Sequence, residues 1–266
     1  MTKSVDLVTL KPNTGLSWKE ITLAQLTAQN VTESTELNNP QQFSDTAFTV
    51  TPTVTGVHTF VSNRVGARIT KKTLTRMGRL AQDAIERLKD TDGLTAIDAF
   101  TTSLGGTGSA LASGFIRAAR SRITSNTTEP APQSGEIFGV FHGFQIKDIE
   151  DEILNPTTGV LQAQLEAGKT AQVFANGVVG AVGSVIIRED GNLTINAGTT
   201  SAKGGVFHRS SLVLVQGRSP WVLFREEPHI GGGGTSMWQY DEYAYGERSA
   251  GNWGFEVQTD ATTPTS

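Results

Sequence analysis

The sequence predicts an α+β fold. Helical periodicity is concentrated in the first half, a series of short strands fills the second, and no βαβ alternation links the two. No internal repeat of fixed period is present, and 266 residues are enough for one large or two modest domains with an ample core.

Residues 1–19 are polar, aperiodic and interrupted by Pro12 and Gly15, which predicts an extended arm. From residue 20 to about 64 the chain is rich in Thr and Val. Apolar positions alternate around Phe48–Val50 and Val57–Val61, predicting two strands joined by the polar tip NNPQQFSD. The period then changes. Leu74, Met77, Leu80, Ala81, Ala84, Ile85 and Leu88 recur at spacings of three and four, with Lys71, Arg76, Arg79, Asp83, Glu86 and Arg87 opposite them. This predicts a helix over 69–89, about 30 Å long, ended at DTDG by Gly93 in a left-handed cap. A second helix is expected from Ser109 to Ile123, with Leu111, Phe115, Ile116, Ala119 and Ile123 inward and arginines in its last turns.

TSNTTEPAPQSGE, 124–136, is the clearest break in composition and reads as a linker. EIFGVFHGF then reads as a buried strand and QIKDIEDEIL as a short amphipathic helix. The segments AQVFA, VGAVGSVII, GVFHRSSLVLV, PWVLFREEP, MWQYDEYAY and GNWGFEV read as strands.

The candidate chemistry is thin. Gly177, Gly180 and Gly183 lack the spacing of a dinucleotide fingerprint, and β-formers follow them where a helix N-terminus is needed. AQLEAGKT, 163–170, would set Lys169 on phosphates and Thr170 on magnesium. However, Ala163 replaces the first glycine, Glu166 puts negative charge where phosphate should sit, and no helix follows. SLGGTGSALASG precedes a helix and allows anion binding there, although Ser109 as an N-cap is the simpler use. His58, His142, His208 and His229 form no ligand or triad spacing. Asp148 and Glu152 stand one helical turn apart, as a metal or acid/base pair would, but read first as acids facing solvent. Trp221, Trp238 and Trp253 serve a core or a subunit contact. This leaves no catalytic, cofactor-binding or metal residue to name.

The absence of cysteine removes disulfides, thiolate chemistry and cysteine-built zinc sites, and suits a reducing compartment. No secretory h-region or membrane-length apolar run is present, so a soluble, unexported chain with no membrane partner is expected, and the sequons at Asn30, Asn126 and Asn192 read as chance. A net charge of −4 argues against a dedicated nucleic-acid binder. It does not exclude a container for nucleic acid. A chain patterned for folding yet poor in reactive groups works through its surfaces.

The order of elements, with GEIFGVFHGFQIKDIEDEI, FANGVVGAVGSVIIRED and GVFHRSSLVLV…WVLFREEP…YGERSAGNWGFEV, resembles the major capsid proteins of tailed bacteriophages with the HK97-like fold, which bacterial encapsulins share. The resemblance spans roughly Leu23 to Val257 and rests on pattern order. It implies an N-terminal arm (1–19), an extended β-hairpin loop (20–68), a peripheral domain with a long spine helix (69–134 and 203–266) and an axial domain (135–202). Also implied are pentamers and hexamers of an icosahedral shell around double-stranded DNA, held without sequence-specific binding. The virion would be assembled in the host bacterial cytoplasm. With no long segment before the arm, a separate scaffolding protein or an already processed chain is implied, together with a portal and a decoration protein. No lysine–asparagine crosslink pair aligns. Glu33 and Glu36 on one side and Arg64, Arg68, Lys71 and Lys72 on the other are candidate inter-subunit contacts. Gly177, Gly180 and Gly183 would keep an axial-domain strand slim. An encapsulin-type compartment is the alternative, and an NTPase using Lys169 the third reading.

Overall fold

The computed structural model describes residues 1–23, 28, 30–31, 33, 45–69, 71–100, 103–126, 135–154, 180–248 and 252–265. The chain opens with β1 (Asp6–Thr9), β2 (Trp18–Leu23), β3 (Asp45–Val50) and β4 (Thr53–Ser62). Next come the short helix α1 (Asn63–Gly66), the long helix α2 (Lys71–Asp98), β5 (Ser103–Gly105), α3 (Ser113–Thr124), β6 (Ile137–Phe141) and α4 (Gly143–Leu154). The strands described after α4 are β7 (Ala181–Val182), β8 (Val185–Glu189), β9 (Ile195–Asn196), β10 (Ser201–His208), β11 (Leu212–Glu226), β12 (Gly234–Glu247) and β13 (Gly254–Asp260).

Among the described residues the strands form three sheets. A mixed sheet runs β5-β13-β10-β6-β8-β7, with β9 on β10; a four-stranded sheet runs β1-β11-β12-β4; β2 and β3 form a two-stranded sheet. In the mixed sheet α3 and α4 bury Ile116, Ala119, Ile123, Ile146 and Ile149 against Phe141, Val185, Val206 and Val257. β6 is buried at every position, as expected of an inner strand. A second core joins the end of α2, through Leu94, Ile97 and Phe100, to Phe138, Phe207, Leu212 and Leu214. Val50, Val213 and Val215 form a third, small cluster beneath the hairpin.

Several expectations change. The first residues of the expected arm are packed: β1 runs parallel to β11 from Asp6↔Val213 to Thr9↔Gln216, and Val5 is 1% exposed. Alternation over Val5–Val8 is too short to signal a strand. β2 and β3 form the expected hairpin, from Trp18↔Val50 to Leu23↔Asp45. β4, expected within the same loop, instead pairs along β12 and belongs to the four-stranded sheet.

Helix α2 does not stop at Gly93 but continues to Asp98. A Cβ on Gly93 would meet the Tyr245 ring at 2.9 Å, so this glycine lets the helix lie close against β12 rather than capping it. The inward face is also rotated from the expected one. Ala81, Ile85, Leu94 and Ile97 are buried, whereas Leu80 and Leu88 are 60% and 46% exposed and Ala84 is exposed too. Lys89 takes an inward position that apolar periodicity could not assign to it.

The expected strand through VGAVGSVII is a two-residue hairpin. Val182 pairs with Val185 across Gly183 and Ser184, whose φ values of 54° and 67° are both positive, as a type I′ turn requires. Gly180, at φ 61°, has open space within 4 Å of where a Cβ would stand, and a Cβ on Gly183 would meet the Arg117 side chain rather than backbone. Within the protomer Gly180 and Gly183 therefore answer a conformational demand. Gly177, Lys169, AQVFA and most of the 124–136 linker lie outside the described residues.

Candidate assembly surfaces

The long sheet holds α2 by directional polar bonds. Lys89 Nζ donates to Gln216 Oε1 at 2.7 Å and to Asp241 Oδ2 at 3.0 Å, with side chains 8% and 0% exposed for the lysine and aspartate. Gln216 Nε2 donates to the other Asp241 oxygen. Further along β12, Tyr243 donates to Asp92 at 2.7 Å, and Gln239 Nε2 donates to Gly78 O at 3.2 Å. Burial, reinforced by the Asp92 carboxylate, pushes the Tyr243 phenol well above its ordinary range. Residues 239, 241 and 243 share one face of β12 because strand side chains alternate, so one polar row fixes helix against sheet.

The hairpin β2–β3 is held at its root by the Val50 cluster and by the polar contacts of Arg248. Arg248 donates from Nε to Glu20 at 2.6 Å and from Nη1 to Asp6 at 2.7 Å and to Ser210 O at 3.1 Å, with its guanidinium over the Trp18 ring. Arg248 thereby ties β1, β2 and the turn before β11 into one joint. Beyond this root the hairpin exposes Ile21 to 63%.

Asp148 and Glu152 are not acids facing solvent. Asp148 accepts from Leu111 N at 3.0 Å, and Glu152 accepts from Ser113 N at 2.7 Å and Ser113 Oγ at 2.8 Å. Together they satisfy the free amides at the start of α3, the favourable end of its dipole for negative charge. This also supplies from within the chain the anion that SLGGTGSALASG could have bound. Burial raises the Asp148 carboxyl, with the bond from Leu111 opposing.

The histidines serve local structure. Nδ1 of His142 accepts from Phe144 N and Nδ1 of His208 from Ser210 N, both at 3.2 Å. His58 stacks on Trp238, the ring planes 6° apart. Among the described residues no three histidines or acids converge as a metal site needs.

Charge is segregated along the chain. From Glu20 to Asn63 the acids are Glu20, Glu33, Glu36 and Asp45, without a lysine or arginine; from Arg64 to Gln82 the charged residues are Arg64, Arg68, Lys71, Lys72, Arg76 and Arg79, without an acid. Arg64 and Arg68 are exposed on and just after α1, and Glu33 is exposed. Lys71 and Lys72 open α2, whose first turn has no acid. Glu36 lies outside the described residues. Sequence reasoning missed Arg248 and Lys89, whose partners stand 228 and 152 positions away, beyond any local signal.

Neither a family model nor a curated protein sequence matches the chain. Solved structures match it along nearly its full length. The capsid of Ralstonia phage GP4 superposes with a TM-score of 0.72 at 12% identity, covering 99% of this chain and 88% of that one. The cyanophage Pam1 capsid gives 0.72 at 11%, covering 98% and 90%. The bacteriophage PhiM1 mature capsid gives 0.65 at 16%, covering 98% and 86%. The chain thus has the α+β fold of phage capsid proteins, as its order of elements led us to expect.

Proposed function

We propose that the chain is a major capsid protein that assembles with copies of itself into pentamers and hexamers of an icosahedral shell enclosing double-stranded phage DNA. The observation that carries this reading is the match to capsid structures over 98–99% of the chain. Two features of the protomer support it: a two-stranded hairpin outside the two larger sheets, and a strand, β11, whose far half is exposed along a free edge. That these neighbours are phage capsids favours a phage shell over an enzyme compartment.

In this reading α2 is the spine helix, 1–19 the arm, 20–68 the extended loop, and 135–202 an axial domain, with Gly177, Gly180 and Gly183 near the centre of a ring. Different faces of successive copies meet, and the rotation closes each ring. Multiplicity then sums modest contacts into a stable lattice. The role is structural rather than enzymatic. A separate scaffolding protein, a portal and a decoration protein are its partners, DNA is held without sequence preference, and the shell forms in the host bacterial cytoplasm.

Glu33 and Glu36 of one copy would approach Arg64, Arg68, Lys71 and Lys72 of the next. Exposed pairs contribute about 0–1 kcal/mol each, so their role is to steer register. Replacing Glu33→Lys together with Glu36→Lys should lower the yield of assembled particles in sedimentation velocity; an unchanged yield removes the steering role. For the function itself, the purified chain should sediment as large particles or capsomer rings. A monomer at every concentration tested, with or without a co-expressed scaffold, overturns the proposal.

A further inference from the structure

One edge of the four-stranded sheet is covered only at its start, over four of the 15 residues of β11. β1 pairs with β11 from Val213 to Gln216, and among the described residues no strand continues on that side. Past register shifts between Gln216, Arg218 and Trp221, β11 runs on as Trp221-Val222-Leu223-Phe224-Arg225-Glu226, paired only with β12. Val222, Leu223 and Phe224 are 44, 52 and 68% exposed. Successive side chains point to opposite faces, so apolar groups are open on both faces at once. A strand edge is a template for another strand, and proteins blunt such edges with proline, charge or bulges. Here Pro220 and the register shifts come before Trp221, and the stretch Trp221–Phe224 contains neither proline nor charge, with Arg225 and Glu226 following at its end.

We propose that the free edge of β11 over Trp221–Glu226 is closed by antiparallel pairing with the same segment of a second copy of this chain. The contact rests on the shell-subunit reading and adds to it a twofold joint between rings. Three observations select this occupant. First, a partner lying flat on one face would cover either Leu223 or Phe224, whereas edge pairing brings cross-strand neighbours to both. Second, the segment is self-complementary, as a twofold contact must be. Arg218 precedes it and Glu226 ends it, and neither forms an ion pair among the described residues. Antiparallel alignment brings the arginine end of one strand to the glutamate end of the other. Third, Arg225 is already engaged by Glu227 at 3.3 Å and adds no free cation at the axis.

The chain has no cysteine, so single cysteines can be placed on a clean background. Val222→Cys shells treated with a short bis-maleimide should yield covalent dimers. Phe224→Arg should keep the protomer's melting temperature, since the side chain is exposed, yet reduce closed shells about tenfold by placing like charges across the axis. Shells that form normally without the Val222→Cys dimer overturn the edge pairing and leave the shell reading intact. Cross-links from Val222→Cys to Ile21→Cys in mixed particles also overturn it, making a neighbour's acidic hairpin the occupant. If the wild type forms no shells, the shell reading fails; the edge pairing is then judged by whether Val222→Cys dimers appear in concentrated solution.

Discussion

Lys89 is the residue whose position says most about this molecule. A lysine on the buried face of a long helix is costly unless it is paired and hydrogen-bonded, and Asp241 and Gln216 meet both conditions. Removing one partner of such a pair leaves an uncompensated buried charge and costs about 3–5 kcal/mol. Lys89→Met should therefore lower the melting temperature by roughly 6 °C or more for a chain of this size. The double variant Lys89→Met with Asp241→Leu should recover much of that loss in a thermal scan. His208, 2% exposed, sets a pH dependence. Burial pushes its imidazole below the ordinary 6.5, with the Asp6 carboxylate opposing, and Nδ1 already accepts from Ser210. The unfolded chain thus takes up this proton first as pH falls. The stability due to neutral His208 is present above about pH 6.5 and is lost progressively below it. Asp148, Glu150, Asp190 and Glu256 are shifted upward and act in the opposite sense. They are common to a His208→Asn variant, so the wild type should lose its melting-temperature advantage over that variant as pH drops from about 7.5 to about 5. A constant gap would remove His208 from the pH response.

Elements built on local periodicity were legible and those built on distant partners were not. The buried strand Ile137–Phe141 and the helix after it follow from an apolar run and a three-to-four spacing. The end of α2 does not, because Gly93 signals a cap locally but is used for close approach to Tyr245. The turn at Gly183–Ser184 was hidden because a serine at positive φ is uncommon. The acids Asp148 and Glu152 read as a solvated face because the amides they cap stand 37 and 39 residues earlier. At this scale Arg248→Gln is the informative change. It removes the cation beside Glu20, leaves Asp6 with Arg209 at 3.5 Å, and loosens the hairpin root, while the main cores stay untouched. Amide exchange in β2 and β3 should accelerate and assembly yield should fall, with a melting-temperature loss of only about 1–3 °C. Unaltered exchange in the hairpin would show that Arg248 does not hold it.

At the scale of the whole molecule the sequence conveyed the order of elements and, through it, the resemblance to capsid proteins. It did not convey that β4 leaves the hairpin to join the four-stranded sheet. Folding energy resides in two cores gathered around α2, α3 and α4. The hairpin and the far half of β11 lie outside both cores, and this division of labour suits a subunit that is stable alone and complete only among copies. The most direct measurement is electron cryomicroscopy of particles formed by the purified chain, with its scaffold if one is needed. The expected result is closed shells of five- and six-membered rings, with each β2–β3 hairpin resolved over a neighbouring copy. A population of isolated protomers, or an open aggregate without rotational symmetry, would contradict the account.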